Sequence, residues 1–97
     1  MSKVLVVDDM PIFREPIAAC LRASGYETCI AGNGQEALAV LQSSRPDLIL
    51  LDIAMPIMDG ISFLSVIRGD PATQSIPVIL LTAVRVRGIA GGQRGLV

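Results

Sequence analysis

Histidine is absent from this chain of 97 residues. Its absence excludes Ser-His and Cys-His nucleophile pairs, histidine-ligated zinc and any part as a phosphohistidine donor. Cysteine occurs only at Cys20 and Cys29, with neither metal-ligand spacing nor a second pair, so free thiols in a reducing cytoplasm are expected. The apolar stretch after Met1-Ser2-Lys3 is four residues long and ends in two aspartates, too short for a secretory signal, and no run approaches bilayer length. A cytoplasmic protein without a membrane partner is the expectation. A net charge of −1 and a pI near 5.1 leave no basic face, so nucleic-acid binding by this chain is not expected. With 52% hydrophobic and 18% charged residues, the composition describes one small domain.

What the chain does have is acid at the ends of apolar runs. Val4-Leu5-Val6-Val7 runs into Asp8-Asp9, and Leu48-Ile49-Leu50-Leu51 runs into Asp52. Short runs of branched apolar residues are the mark of buried parallel strands, and in open α/β sheets ligands bind just beyond the strands' carboxyl ends. Three carboxylates are thereby expected at one edge. Carboxylates so crowded repel unless a cation or proton intervenes, which points to a divalent-metal site or to a carboxylate with special chemistry.

Strands and helices alternate along the sequence. Strands are expected at Lys3–Val7, Glu27–Ala31, 47–51 and 76–81, the last beginning through Pro77. The segment 11–24 carries Phe13, Ile17, Cys20, Leu21 and Ser24 at helical spacing and stops at Gly25, although Pro16 predicts an irregular first turn or a later start. A second helix is expected over 34–42 with Ala37, Leu38 and Leu41 inward. A third, capped by Asp59, runs to about Arg68 with Phe63, Leu64 and Ile67 on one face. This alternation implies an α/β fold, a parallel sheet with right-handed crossovers and helices on both faces. Residues 84–97 change character, holding four glycines, three arginines and no acid, and they scarcely suffice for a further crossover and strand. The expected organisation is one domain over 1–83 and an atypical tail over 84–97.

Four pieces in this order resemble the receiver domain of bacterial two-component response regulators: Val4 to Asp9, Asn33-Gly34-Gln35-Glu36-Ala37-Leu38, Pro46 to Asp52 with Met55-Pro56 and Met58-Asp59-Gly60, and Leu80-Leu81-Thr82-Ala83. The resemblance covers residues 3–83. It implies a flavodoxin-like doubly wound parallel sheet of order 2-1-3-4, with the fifth strand missing or atypical. It further implies a signalling domain, not an enzyme, that accepts a phosphoryl group on Asp52 from a sensor histidine kinase or phosphotransfer protein. Mg²⁺ would be held by Asp9 and Asp52, by Asp8 directly or through water, and by the backbone carbonyl of Ala54, with the Thr82 hydroxyl bonding a phosphoryl oxygen. Helix capping is the plain alternative for Asp8 and Asp9, and a β-branched strand residue the plain alternative for Thr82. One departure stands out: the family carries a lysine at the end of its fifth strand, and the only lysine here is Lys3.

Two other readings stay open. Gly32-Asn33-Gly34-Gln35-Glu36-Ala37 satisfies the G-x-G-x-x-[G/A] pattern of dinucleotide sites, with Asp52 twenty residues after Gly32 where a ribose-binding acid would sit. Against it, Asp8-Asp9 would oppose a pyrophosphate. The other reading is a truncated receiver that is never phosphorylated and acts as an interaction module. Without a fifth strand, the fourth becomes an exposed edge, from which a homodimer through that edge or the tail is expected.

Overall fold

Three amphipathic segments carry the chain between four short apolar strands in the computed structural model, which describes residues 2–52 and 60–81. The order is β1 (Lys3–Val7), α1 (Pro11–Ala23), β2 (Glu27–Ala31), α2 (Gly34–Ser43), β3 (Leu48–Leu51), α3 (Gly60–Arg68) and β4 (Val78–Leu80). All strand pairs are parallel, as the alternation predicts, and the sheet order is β2-β1-β3-β4, as the resemblance implies. The expected Asp59 cap and the tail 84–97 lie outside the described residues, as does the boundary at residue 83.

Period-two alternation sorts the strand residues onto two faces. Leu5, Val7, Ile49, Leu51 and Val78 join Ala37 of α2 and Phe63 and Ile67 of α3 in one buried cluster. Phe63 and Ile67 sit one helical turn apart and are 0% and 1% exposed, so the apolar stripe of α3 faces the sheet as its spacing requires. Val4 and Val6, buried but outside that cluster, point to the opposite face, where α1 packs on β1 and β2.

Here α1 departs from the expectation. Its fully buried residue is Ala18, while Phe13 is 37% exposed and Cys20 and Ser24 are exposed. A small side chain at the contact lets the helix approach the sheet closely, and no second helix flanks α1 on this face among the described residues. Of the larger apolar groups on α1, Ile12 and Phe13 are exposed while Ile17 and Leu21 are half-buried. Nor does Pro16 disturb the start, because the helix runs unbroken from Pro11. The bond forfeited by Pro16 is the one to the carbonyl of Ile12, a residue 71% exposed, whose carbonyl water can solvate. Pro11 occupies the first turn, where its missing N–H costs nothing.

The ends of the helices are well specified. Gly25 takes φ +95, its N–H donates to the carbonyl of Arg22 (3.0 Å), and the N–H of Tyr26 donates to that of Leu21 (3.0 Å), which is a Schellman motif. A Cβ at Gly25 would meet nothing within 4 Å, so backbone conformation rather than space demands glycine there. At the end of α3, buried Thr73 donates its hydroxyl to the carbonyl of Ile67 (2.8 Å), and Arg68 Nη1 donates to the carbonyls of Gln74 (2.8 Å) and Ile76 (2.9 Å). The first satisfies a late helix carbonyl, and the two from Arg68 hold the segment that leads into β4. That strand is shorter than expected because Pro77 has no N–H to give; its carbonyl still accepts from Ile49 (3.0 Å), and Ile76 is buried in the core without being a strand residue.

Two substitutions test this account by urea unfolding. Phe63→Ala is expected to cost about 3–5 kcal/mol, the usual range for emptying a buried aromatic site, and Gly25→Ala about 1 kcal/mol from forcing a Cβ into left-handed backbone. A loss below about 1 kcal/mol for Phe63→Ala would contradict its central place in the core.

Candidate functional site

Register is what gathers the acids. Val7 pairs with Ala31 on one side and with Leu51 on the other, so β1, β2 and β3 finish level. The ladder then continues for one bond beyond each strand: Asp8 N–H donates to the Ala31 carbonyl (3.0 Å), Asp52 N–H to the Val7 carbonyl (2.9 Å) and Leu81 N–H to the Leu51 carbonyl (2.8 Å). Asp8 and Asp52 thus leave adjacent strands at the same height, held by their own backbones. One ligand-capable oxygen from each of Asp8, Asp9 and Asp52 lies within 4.8 Å of the other two. Asp8 and Asp52 are fully buried and Asp9 is half-buried.

Capping accounts for only part of this cluster. Asp8 Oδ1 accepts from the N–H of Met10 (3.0 Å), an aspartate turn leading into α1, whereas Met10, the residue at the cap position, makes no side-chain cap. That contact engages one oxygen of one carboxylate. It gives no reason for Asp52, on a different strand, to be buried beside it.

The chemistry of the donor set suits a hard divalent cation. Around an octahedral Mg²⁺ with metal–oxygen distances near 2.1 Å, neighbouring ligand oxygens stand about 3.0 Å apart and opposite ones about 4.2 Å. Three carboxylate oxygens within 4.8 Å of one another reach that geometry by closing up to about 1.8 Å, a movement side-chain rotation can supply. Ala54 and Thr82, the other expected site residues, lie outside the described residues, as do Met55 and Pro56.

Lys3 sits at the opposite edge. It begins β1, its Nζ donates to Ser44 Oγ (2.6 Å) and lies 3.6 Å from Glu27 Oε2, and its N–H donates to Asp47 Oδ2 (2.8 Å). A strand of five residues separates it from Asp8 by roughly 16 Å at about 3.3 Å per residue.

The β2–α2 loop disposes of the dinucleotide reading. Asn33 Oδ1 accepts from the N–H of Glu36 (2.9 Å), and Glu36 Oε1 accepts from the N–H of Gly32 (2.8 Å), a variant of the capping box. A pyrophosphate would need those N–H groups and would meet the Glu36 carboxylate over them.

Arg14 is a participant that sequence reasoning did not single out. Its Nη1 donates to the carbonyl of Asp8 (3.1 Å), and a Cβ at Gly32 would stand 3.3 Å from that nitrogen and 3.3 Å from Glu36 Oε1. The only signal was a basic residue one turn into a helix that follows the acids, and such residues usually face solvent.

Comparison with known proteins fits this geometry. The sequence profile of the response regulator receiver domain matches residues 4–90. The DNA-binding response regulator MtrA of Mycolicibacterium smegmatis is 41% identical over 82 residues, which are 84% of this chain and 35% of MtrA. Among solved structures, the receiver domain of a signal transduction histidine kinase from Syntrophus aciditrophicus superposes with a TM-score of 0.78 at 40% identity, over 82% of this chain and 61% of that one. The response regulator TrrA of Thermotoga maritima, solved in complex with Mg²⁺ and BeF, superposes with a TM-score of 0.67 at 43% identity, over 71% of this chain and 60% of that one. This chain therefore spans about a third of MtrA and about three-fifths of the two structures. It belongs to the response regulator receiver domain family of two-component systems.

Proposed function

We infer that Asp52 is a phosphoryl acceptor and that Asp8, Asp9 and Asp52 hold the Mg²⁺ that the transfer requires. The observation that carries this reading is the convergence of three carboxylates on one sheet edge with two of them fully buried. Burying two carboxylates side by side is costly unless a cation or a proton relieves the repulsion, and a third carboxylate within ligand distance favours the cation. TrrA was solved in complex with Mg²⁺ and BeF, which supports the reading of a Mg²⁺ site in this chain.

Mg²⁺ bound to this cluster would offset the negative charge that gathers on the transferring oxygens. The chain's own contribution is position. Asp52 N–H is tied to β1 through Val7, so the acceptor carboxylate starts from a fixed backbone and loses little freedom on reaction. In the transfer, an Asp52 oxygen forms a bond to phosphorus while the bond from phosphorus to the donor's imidazole nitrogen breaks. The products are an acyl phosphate on Asp52 and an imidazole that retains the electron pair. The proposed donor is a phosphohistidine on a sensor histidine kinase or a phosphotransfer protein, outside these 97 residues, which include no histidine. The Ala54 carbonyl and the Thr82 hydroxyl complete the proposed site, one toward the metal and one toward the phosphoryl group. This edge is acidic and carries no described feature suited to nucleic acid; DNA binding in MtrA belongs to a protein of which this chain matches 35%.

A second reading is favoured by one observation, the placement of Lys3 at the far edge of the sheet in bonds to Ser44 and Glu27. If no lysine faces the phosphoryl group, the domain would be a silent interaction module. It would associate through β4, the outer strand on its side among the described residues.

Incubation with Mg²⁺ and acetyl phosphate followed by intact mass decides between the two. The parent chain is expected to gain one phosphoryl group and Asp52→Asn none; a parent that binds Mg²⁺ yet gains no mass would leave the silent module standing. Association is read separately by light scattering, where a dimer is expected. A monomeric mass at all concentrations would end that part of the proposal.

A further inference from the structure

The turn between β1 and α1 carries two of the three clustered acids, and its conformation decides where their oxygens point. Three bonds hold Asp8 in that turn. Its N–H reaches back to the Ala31 carbonyl (3.0 Å), its Oδ1 accepts from the Met10 N–H (3.0 Å), and its carbonyl accepts from Arg14 Nη1 (3.1 Å). The first two are short-range consequences of the strand and the turn. The third brings a side chain of α1 back onto the turn, beside the helix bonds from the N–H groups of Phe13 (3.0 Å) and Arg14 (2.9 Å) to the Met10 carbonyl.

Arg14 gives up a good deal to make that bond. Its side chain is 17% exposed, and its Nε is buried without a hydrogen-bond partner among the described residues. The Glu15 carboxylate lies 3.6 Å from Nη2, beyond good hydrogen-bond range and itself 55% exposed. An arginine one turn into a surface helix would ordinarily extend into water and keep all five donors solvated. Here it folds back over the turn, through space left by Gly32, where a Cβ would stand 3.3 Å from Nη1.

We propose that Arg14 is a positioning residue for the acidic edge, clamping the Asp8 carbonyl so that the Asp8-Asp9 turn presents its carboxylates in a geometry that binds Mg²⁺. The proposal rests on the reading of that edge as a Mg²⁺ site. It also runs against simple electrostatics, and that makes it sharp. Arg14 is a cation close to a cation site, so if it acted only through charge, its removal would tighten Mg²⁺ binding. Acting through the turn, its removal weakens binding, and partners that orient metal ligands from the outer shell are commonly worth 10- to 100-fold in affinity.

The test is calorimetric titration of Mg²⁺ at constant ionic strength into the parent, Arg14→Met, Arg14→Lys and Asp52→Asn chains, with thermal unfolding of each in the absence of metal. Arg14→Met keeps the apolar bulk of the side chain and is expected to bind Mg²⁺ about 10-fold more weakly. Arg14→Lys, whose ammonium can reach the same carbonyl, should recover most of the loss. Unchanged or tighter binding by a folded Arg14→Met overturns the proposal, as does a melting temperature that falls while affinity holds, the mark of a merely structural role. If Arg14→Met does not fold, Gly32→Val crowds the guanidinium without altering charge; weaker binding supports the clamp and unchanged binding overturns it. Mg²⁺ binding that is absent from the parent sinks the metal-site reading and the clamp together. Binding that is present in the parent, lost in Asp52→Asn and indifferent to Arg14 sinks the clamp alone.

Discussion

Everything at the candidate site depends on one constraint, the level finish of β1 and β3. Val7 stands opposite Leu51, and the N–H of Asp52 closes onto the carbonyl of Val7. Had the pairing slipped by one residue, the period of two would have sent Ile49 and Leu51 to the wrong face and drawn Asp52 out of line with Asp8. The same apolar alternation that builds the core therefore sets the site. Phe63 and Ile67 press on the face where Leu5, Val7, Ile49 and Leu51 lie, so slippage would cost the core before it cost the chemistry.

Bringing acids together opposes folding, and the surrounding structure shows how the opposition is met. Backbone bonds at Asp8 and Asp52 fix where the side chains begin, and the Asp8 carboxylate is partly satisfied by the Met10 N–H. Among the described residues, the basic groups that flank β1 are kept at a distance or turned to backbone. The Lys3 ammonium is engaged with Ser44 and Glu27 at the opposite edge, and the Arg14 guanidinium addresses the carbonyl of Asp8. The edge thus stays acidic, which is the condition a hard cation needs.

How far the sequence could be read differs from element to element. The strands were legible because unbroken runs of branched residues have few other uses, and α2 and α3 because Asn33, Glu36 and the Phe63–Ile67 spacing are local signals. The rotation of α1 was less legible. Of the stripe Phe13, Ile17, Cys20, Leu21 and Ser24 that its spacing marks, Ile17 and Leu21 are half-buried and the rest exposed, whereas the fully buried residue is the small Ala18. Pro16 misled in the other direction, since its cost depends on whether the carbonyl it abandons can reach water. Thr73 had no sequence signal and Arg14 only its place one turn into α1, because their partners, the carbonyls of Ile67 and Asp8, are backbone groups that every residue has.

By itself the sequence determined the alternation of strands and helices, the faces that β1, β3 and α3 turn inward, and the fact that acids follow two of the strands. These are properties of neighbours along the chain, governed by periods of two and 3.6. Only the tertiary structure decided that β1 lies between β2 and β3 in level register, that Asp8, Asp9 and Asp52 meet within 4.8 Å, and that Arg14 bends back over the turn they share. Pairing across more than forty residues of chain is settled by which faces can be buried together, and no local pattern encodes that competition.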